Sequence, residues 1–142
     1  MSLLVHPLPL GKVRLRNRLV MPPMATEKSE GQGKVSDALC EYYDEKTKVG
    51  YFGLVVAEHS YISKEGQASK GQVSLSSDDD VPGLKRLVEV IHRNGCKVVA
   101  QINHAGGKSI SALGGESLTA PAPSAMPYTT TRREAVQAHA MT

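Results

Sequence analysis

Apolar residues in this chain fall into two patterns: short unbroken runs, and longer stretches in which they recur every three or four positions. Leu8-Pro9-Leu10-Gly11-Lys12-Val13-Arg14-Leu15 reads as two short strands turning at Gly11-Lys12. Leu19-Val20-Met21 reads as a brief buried strand, stopped by Pro22-Pro23 because proline has no N–H to give to a ladder. Residues 26–34 are polar and contain glycine, as a loop does. A helix is predicted from Ser36 as N-cap, with Asp37 complementing the helix dipole. Leu39, Tyr42, Tyr43, Lys46 and Val49 follow at helical spacing, and Gly50 is a natural stop. Phe52-Gly53-Leu54-Val55-Val56-Ala57 is apolar on both faces, like a parallel strand covered by helices, and Glu58-His59-Ser60 falls at its loop end.

The second helix has the clearest pattern. Asp80 is a good N-cap, Pro82 is tolerated in the first turn, and Leu84, Leu87, Val88 and Ile91 form an i, i+3, i+4, i+7 stripe before Asn94-Gly95. Lys97 to Ile102 reads as a third strand of the same kind. The order hairpin, β, α, β, α, β predicts an α/β fold with a parallel sheet, built from successive βα units. After His104 the texture changes, and residues 105–131 are rich in Gly, Ser, Thr, Ala and Pro. The chain thus divides into a hairpin over 1–16, three strands with two helices over 17–104, and a long loop region over 105–142. Within the last, Arg133-Glu134-Ala135-Val136-Gln137 predicts the start of another helix.

Composition narrows the function. With 142 residues the chain can bury the core of one domain, but a full (β/α)₈ barrel takes ~250 residues. Its net charge is only +3, from 17 basic and 14 acidic side chains, and aromatics are 4% of residues, so no basic stripe with interleaved aromatics points to nucleic acid. Arg14, Arg16 and Arg18 alternate with Val13, Leu15 and Leu19, as the solvent face of a strand would. No apolar run approaches the ~20 residues of a membrane span, and no basic-then-apolar leader opens the chain. Cys40 and Cys96 lie in separate elements and form no C-x-x-C pair, so they read as small core residues of a reduced, cytoplasmic chain.

Candidate chemistry gathers at the ends of the strands. Pro22-Pro23-Met24-Ala25 turns the backbone out of its sheet, so the Ala25 N–H loses its ladder partner and can meet a ligand. A flavin needs such donors near N5 and O4, where negative charge develops on reduction, and Met24 offers a polarizable surface for a flat ring. Gln101 interrupts the apolar run Val98-Val99-Ala100-Gln101-Ile102, and a buried amide needs its donors and acceptors satisfied. The pyrimidine edge of a flavin would satisfy it, and so would a neighbouring strand or loop. His59 and His104 both follow strands, and with Glu58 they offer a metal site as an alternative, although no compact ligand spacing such as H-x-x-x-H is present. His92 lies off the apolar stripe of its helix. Neither Gly106-Gly107-Lys108 nor Gly114-Gly115 matches a phosphate-binding loop, and Asp78-Asp79-Asp80 reads as helix capping with solvated charge.

Taken in order, several segments form a joint pattern. They are Leu8-x-Leu10-Gly11, Asn17-Arg18-Leu19-Val20-Met21-x-Pro23-Met24, Gly53-Leu54-Val55-Val56-x-Glu58, Gln101-Ile102-Asn103-His104-Ala105-Gly106 and Ala122-Pro123-Ser124-Ala125-Met126-Pro127. Over nearly the whole chain this resembles the old yellow enzyme family of NADH:flavin oxidoreductases. The resemblance implies the N-terminal part of a (β/α)₈ barrel holding non-covalent FMN. NADH or NADPH would reduce the flavin, which would pass hydride to a small-molecule acceptor such as an activated alkene. Pro22, Pro23, Met24 and Ala25 would line the flavin, His59 would stand where relatives often carry a small contacting residue, and Gln101 would bind the pyrimidine ring. The hairpin would plug the barrel bottom. Ala25 stands where some relatives have Thr or Cys, and Gly107 where an Arg often follows His-Ala-Gly. The family's substrate-activating His pair, its proton-donating Tyr and its phosphate loops come from later strands. By that reading the 142 residues alone are not a competent catalyst, and would need the missing barrel half or self-association into a homo-oligomer. A non-catalytic α/β fragment or interaction module without flavin is the alternative.

Overall fold

The computed structural model describes residues 2–106, 109, 119–120, 124–125 and 137–140. The expected hairpin is present: β1 (Leu8–Leu10) and β2 (Val13–Leu15) pair antiparallel, Leu10 opposite Val13. Gly11 makes the turn at φ +56°, a conformation that favours glycine. A parallel sheet follows, containing β3 (Val20–Met21), β4 (Leu54–Tyr61) and β6 (Lys97–Asn103), with β3 and β6 both paired to β4. A short strand, β5 (Val73–Ser74), pairs parallel with Ser60 and Tyr61 at the far end of β4.

Helix α1 (Asp37–Thr47) links β3 to β4, and α2 (Val81–Arg93) links β5 to β6. Ser36 caps α1 by accepting from the Leu39 N–H at 3.0 Å, while its hydroxyl donates to the Lys28 carbonyl. Leu39, Cys40, Tyr43 and Thr47 form the buried face of α1, and Leu87 and Ile91 that of α2. They pack with Met21, Val55, Val73 and Cys96 into one core between helices and sheet. β4 lies beside β3 and β6 beside β4, with one α-helix in each connection, the winding of a barrel rather than of a sheet that reverses direction.

Several expectations change. Helix α1 ends at Thr47, and Val49 is exposed. The second parallel strand does not stop at Ala57 but carries Glu58, His59, Ser60 and Tyr61 as ladder residues. Val20 is 45% exposed while Met21 is buried, so β3 buries one face only. Asp80 is not a solvated cap. It is 5% exposed, closing a capping box around the turn Asp78–Asp80 that precedes α2. Arg16 is more than surface charge, donating to the Phe52 carbonyl from Nε (3.0 Å) and Nη2 (2.8 Å), while Asn17 Nδ2 reaches the Tyr51 carbonyl at 2.8 Å. These bonds hold the chain after the hairpin against the entry to β4. Cys40 and Cys96 are free, buried thiols, as expected.

Part of the 105–142 region read as loop is strand. Thr119–Ala120, Ser124–Ala125 and Gln137–Ala140 form a small sheet of their own, with the last strand in the middle. Gln137 therefore belongs to a strand rather than to the expected helix, whose residues 133–136 lie outside the described residues, as do Gly107, Lys108, Gly114 and Gly115. No helix among the described residues is long and apolar enough to cross a membrane.

Candidate functional site

Parallel pairing decides what meets at the C-terminal end of the sheet. Met21 is level with Val55, and Val55 with Val98, so Pro22-Pro23-Met24-Ala25, after β3, and Ala100-Gln101, within β6, lie toward the same end of the sheet. His59 pairs directly with Gln101, just beyond a register shift after Val56. The sequence-derived set Pro22, Pro23, Met24, Ala25, His59 and Gln101 is thus brought to one end.

Burial differs from the expectation. Gln101 is exposed, not a buried amide, and Met24 is 54% exposed. Among the described residues β6 pairs only with β4, and Val99 and Gln101, on the β6 face away from the helices, meet solvent. Ile102, on the opposite face of β6, is exposed as well. The Ala25 N–H makes no hydrogen bond to a described residue, and neither does the Gln101 amide. An unpaired backbone donor and an unpaired amide at the same end of the sheet, with the Met24 thioether in the same turn as the donor, suit a flat heteroaromatic ring with a mixed donor–acceptor edge. The donor set fits a flavin on that ground.

Beneath this end lies a buried acid. Glu58 is 2% exposed and accepts from the Thr26 hydroxyl at 2.7 Å and the Thr26 N–H at 3.4 Å. Its own N–H donates to the Tyr43 hydroxyl at 2.8 Å. Burial pushes the Glu58 carboxyl above the usual range, against the opposing pull of its hydrogen bonds to Thr26 and Tyr43. Burial also raises the Tyr43 phenol, so its proton stays in place. The loop after Thr26 turns at Glu27, a non-glycine residue at φ 57°, whose carboxylate accepts the Gly71 N–H at 3.2 Å.

A second cluster surrounds Gln72. Its Nε2 lies 2.9 Å from His59 Nδ1 and 3.2 Å from Asn103 Oδ1, and its Oε1 accepts the Ala68 N–H at 2.7 Å. His104 packs on Gly66, where an added Cβ would come within 2.5 Å of the ring. Glu58 and His59 are thus engaged separately, by Thr26 and by Gln72. Among the described residues no three His, Cys, Asp or Glu side chains gather as a metal site would need.

The chain matches the model of the NADH:flavin oxidoreductase / NADH oxidase family over residues 3–142. It belongs to that family. Among curated relatives, it is 38% identical over 123 residues to a metal reductase of Desulforamulus reducens, covering 87% of this chain and 18% of the relative. It is 37% identical over 129 residues to the NADPH dehydrogenase of Listeria monocytogenes, covering 90% and 36%. The old yellow enzyme homologue of Zymomonas mobilis superposes with a TM-score of 0.87 at 23% identity, over 99% of this chain and 40% of that one. A 2-naphthoyl-CoA reductase superposes with a TM-score of 0.88 at 25% identity, over 99% and 22%. The chain therefore spans roughly a fifth to two fifths of the length of these relatives. Its architecture is the N-terminal part of their (β/α)₈ barrel.

Within this flavin oxidoreductase frame, sequence reasoning missed Thr26, Tyr43, Gln72 and Asn103. Thr26 directly follows the turn it had singled out, and that adjacency was a usable signal. Gln72 had none: it lies in a short polar stretch before a two-residue strand, and only the fold brings it to His59.

Proposed function

We propose that this chain supplies one wall of the FMN site of an NAD(P)H-dependent oxidoreductase of old yellow enzyme type. FMN would carry hydride from NADH or NADPH to a small-molecule acceptor such as an activated alkene. The observation carrying this reading is the parallel register that sets Ala25 and Gln101 at the same end of the sheet, each with a polar group that no described residue engages. In this reading Pro22 and Pro23 fix the turn, Met24 lies against the flavin ring, and the Ala25 N–H donates to it. Gln101 binds the pyrimidine edge, and His59 stands beside Gln101. Glu58 lies below this layer and acts on it through Thr26, by anchoring the loop that carries Ala25.

These 142 residues alone are expected to bind FMN weakly and not to turn over. Among the described residues the parallel sheet has two long strands, β4 and β6, and two short ones, β3 and β5, with β6 unpaired on its outer edge. Such an edge would take a further strand from the rest of a barrel or from a second copy.

The test is a flavin titration of the full chain, followed by flavin fluorescence, for the wild type and Gln101→Leu. Weak saturable binding that Gln101→Leu abolishes is the expected result. Binding indifferent to Gln101→Leu would defeat the reading, and stoichiometric tight binding would overturn the expectation of weakness.

A further inference from the structure

The Gln72 amide has only one possible orientation. Its Oε1 accepts from the Ala68 N–H at 2.7 Å, and a backbone N–H can only donate. The other end is therefore the NH₂ group, with two hydrogens and no lone pair to offer. It faces His59 Nδ1 at 2.9 Å and Asn103 Oδ1 at 3.2 Å, so both neighbours must accept. His59 Nδ1 consequently carries a lone pair, and in the neutral ring the proton sits on Nε2. Gln72 is 2% exposed, and its backbone carbonyl accepts from the Ser29 hydroxyl at 3.2 Å, so neither main chain nor amide is free to turn. The His59 ring is half-buried, and its Nε2 has no hydrogen-bond partner among the described residues.

We propose that Gln72 is a positioning residue: it locks His59 as the neutral Nε2–H tautomer, and so supplies a hydrogen-bond donor to an acceptor atom of the ligand at this end of the sheet. The tautomer stands on the hydrogen-bond polarity alone. The identity of the acceptor, a ring carbonyl or ring nitrogen of the flavin, rests on the function proposed above. Without the lock the ring could present a lone pair, which repels such an atom. A neutral donor holds the acceptor without taking its proton, so His59 binds and orients rather than acting as a base.

The test uses the full chain with ¹⁵N-labelled histidine, and two-bond ¹H–¹⁵N correlation spectra at about pH 8.5, where an ordinary imidazole is neutral. The wild type should show His59 with a protonated Nε2 and a bare Nδ1. In Gln72→Glu a carboxylate replaces the NH₂ donor and accepts from the ring, so the proton should move to Nδ1. A wild-type His59 protonated on Nδ1, or averaged between tautomers, overturns the proposal even if Gln72→Glu does not fold. An unchanged pattern in a folded Gln72→Glu overturns it too. Saturating FMN should shift the His59 Nε2 resonance, and Gln72→Glu should weaken FMN binding roughly 2- to 12-fold, the worth of one ordinary hydrogen bond. Bound FMN with an unmoved Nε2 overturns the donor role. A chain that binds no FMN defeats the flavin reading and the donor role with it, while the tautomer lock is judged by its own spectrum.

Discussion

The Thr26 hydroxyl donates a 2.7 Å hydrogen bond to the buried Glu58 carboxylate. This contact joins the loop leaving β3 to the interior of β4, and it holds charge on an acid that burial pushes toward the neutral form. Thr26→Val removes the bond and leaves the carboxylate short of a donor. A loss of about 1–3 kcal/mol in stability is expected from urea unfolding at neutral pH. The loss should shrink in acid, where a protonated Glu58 needs less compensation. An equal loss at both pH values would show that Thr26 acts by packing alone.

Glu58 also sets a pH dependence of known sign. Its folded pKa lies above the ordinary glutamate value, so the native state holds more protons than the unfolded one between the two pKa values. Stability from this group therefore falls as pH rises from the unfolded pKa to the folded one. Glu58→Gln cannot titrate and should flatten that part of the wild-type stability curve. Denaturation midpoints with the same slope in both proteins would refute the assignment.

Asp80 has the opposite sign. Burial pushes its pKa up, but the Lys34 ammonium at 2.6 Å, the Ser74 hydroxyl at 2.7 Å and the Ser77 N–H at 3.1 Å together hold it below the usual value. Its contribution is present above the unfolded aspartate pKa and is lost as pH falls through the folded one. Asp80→Asn should therefore destabilise at neutral pH, by about 1–3 kcal/mol if the buried donors go unsatisfied, with the difference closing as pH falls through the folded pKa. Thermal unfolding at a series of pH values reads this directly, and a pH-independent deficit would contradict it.

The helices and strands were legible because each has a local cause. Ser36 caps α1, Leu87 and Ile91 give α2 a buried stripe, and Gly11 makes the hairpin turn. Side chains whose partners lie far along the chain were less so. Arg16 reads as a solvated strand residue until Phe52 and Cys96 are brought to it, and Asp80 as a helix cap until Lys34 arrives from 46 residues away. Gln101 looked buried because its neighbours are apolar. Its exposure depends on what covers the other face of the sheet, which no local pattern encodes. That the candidate residues gather at one end of the sheet was readable from where strands stop, whereas the Gln72–His59 contact depends on β5 folding back onto β4.

Two glycines separate backbone strain from close approach. Gly53 has no positive φ, but a Cβ there would lie 2.6 Å from the Asn17 carbonyl oxygen and 2.8 Å from its Oδ1. Asn17 cannot yield easily, since it bonds Tyr51 and Leu19 at 2.8 and 3.0 Å. Gly53→Ala should therefore cost about 1–3 kcal/mol, as overpacking does. Gly11 sits at φ +56° with nothing within 4 Å of a Cβ, so Gly11→Asn, which tolerates that conformation, should cost under about 1 kcal/mol. Chemical denaturation of the two variants would expose an error if their order were reversed.

Ala25 offers a test of the proposed flavin site through redox chemistry rather than affinity. It ends the turn Pro22-Pro23-Met24-Ala25, and its N–H has no described partner, so a bound flavin would meet a backbone donor there but no side-chain donor. Ala25→Thr adds a hydroxyl at the same position. Donors near N5 and O4 favour the reduced flavin, because reduction builds negative charge on that edge. One added hydrogen bond of ~0.5–1.5 kcal/mol corresponds to a rise of roughly 10–30 mV in a two-electron potential. Potentiometry on the flavin-loaded protein should show that rise in Ala25→Thr, and Ala25→Val, matched in shape but lacking the hydroxyl, should not. An equal shift in both variants would trace the effect to bulk, and a fall in Ala25→Thr would place the turn away from the reducible edge.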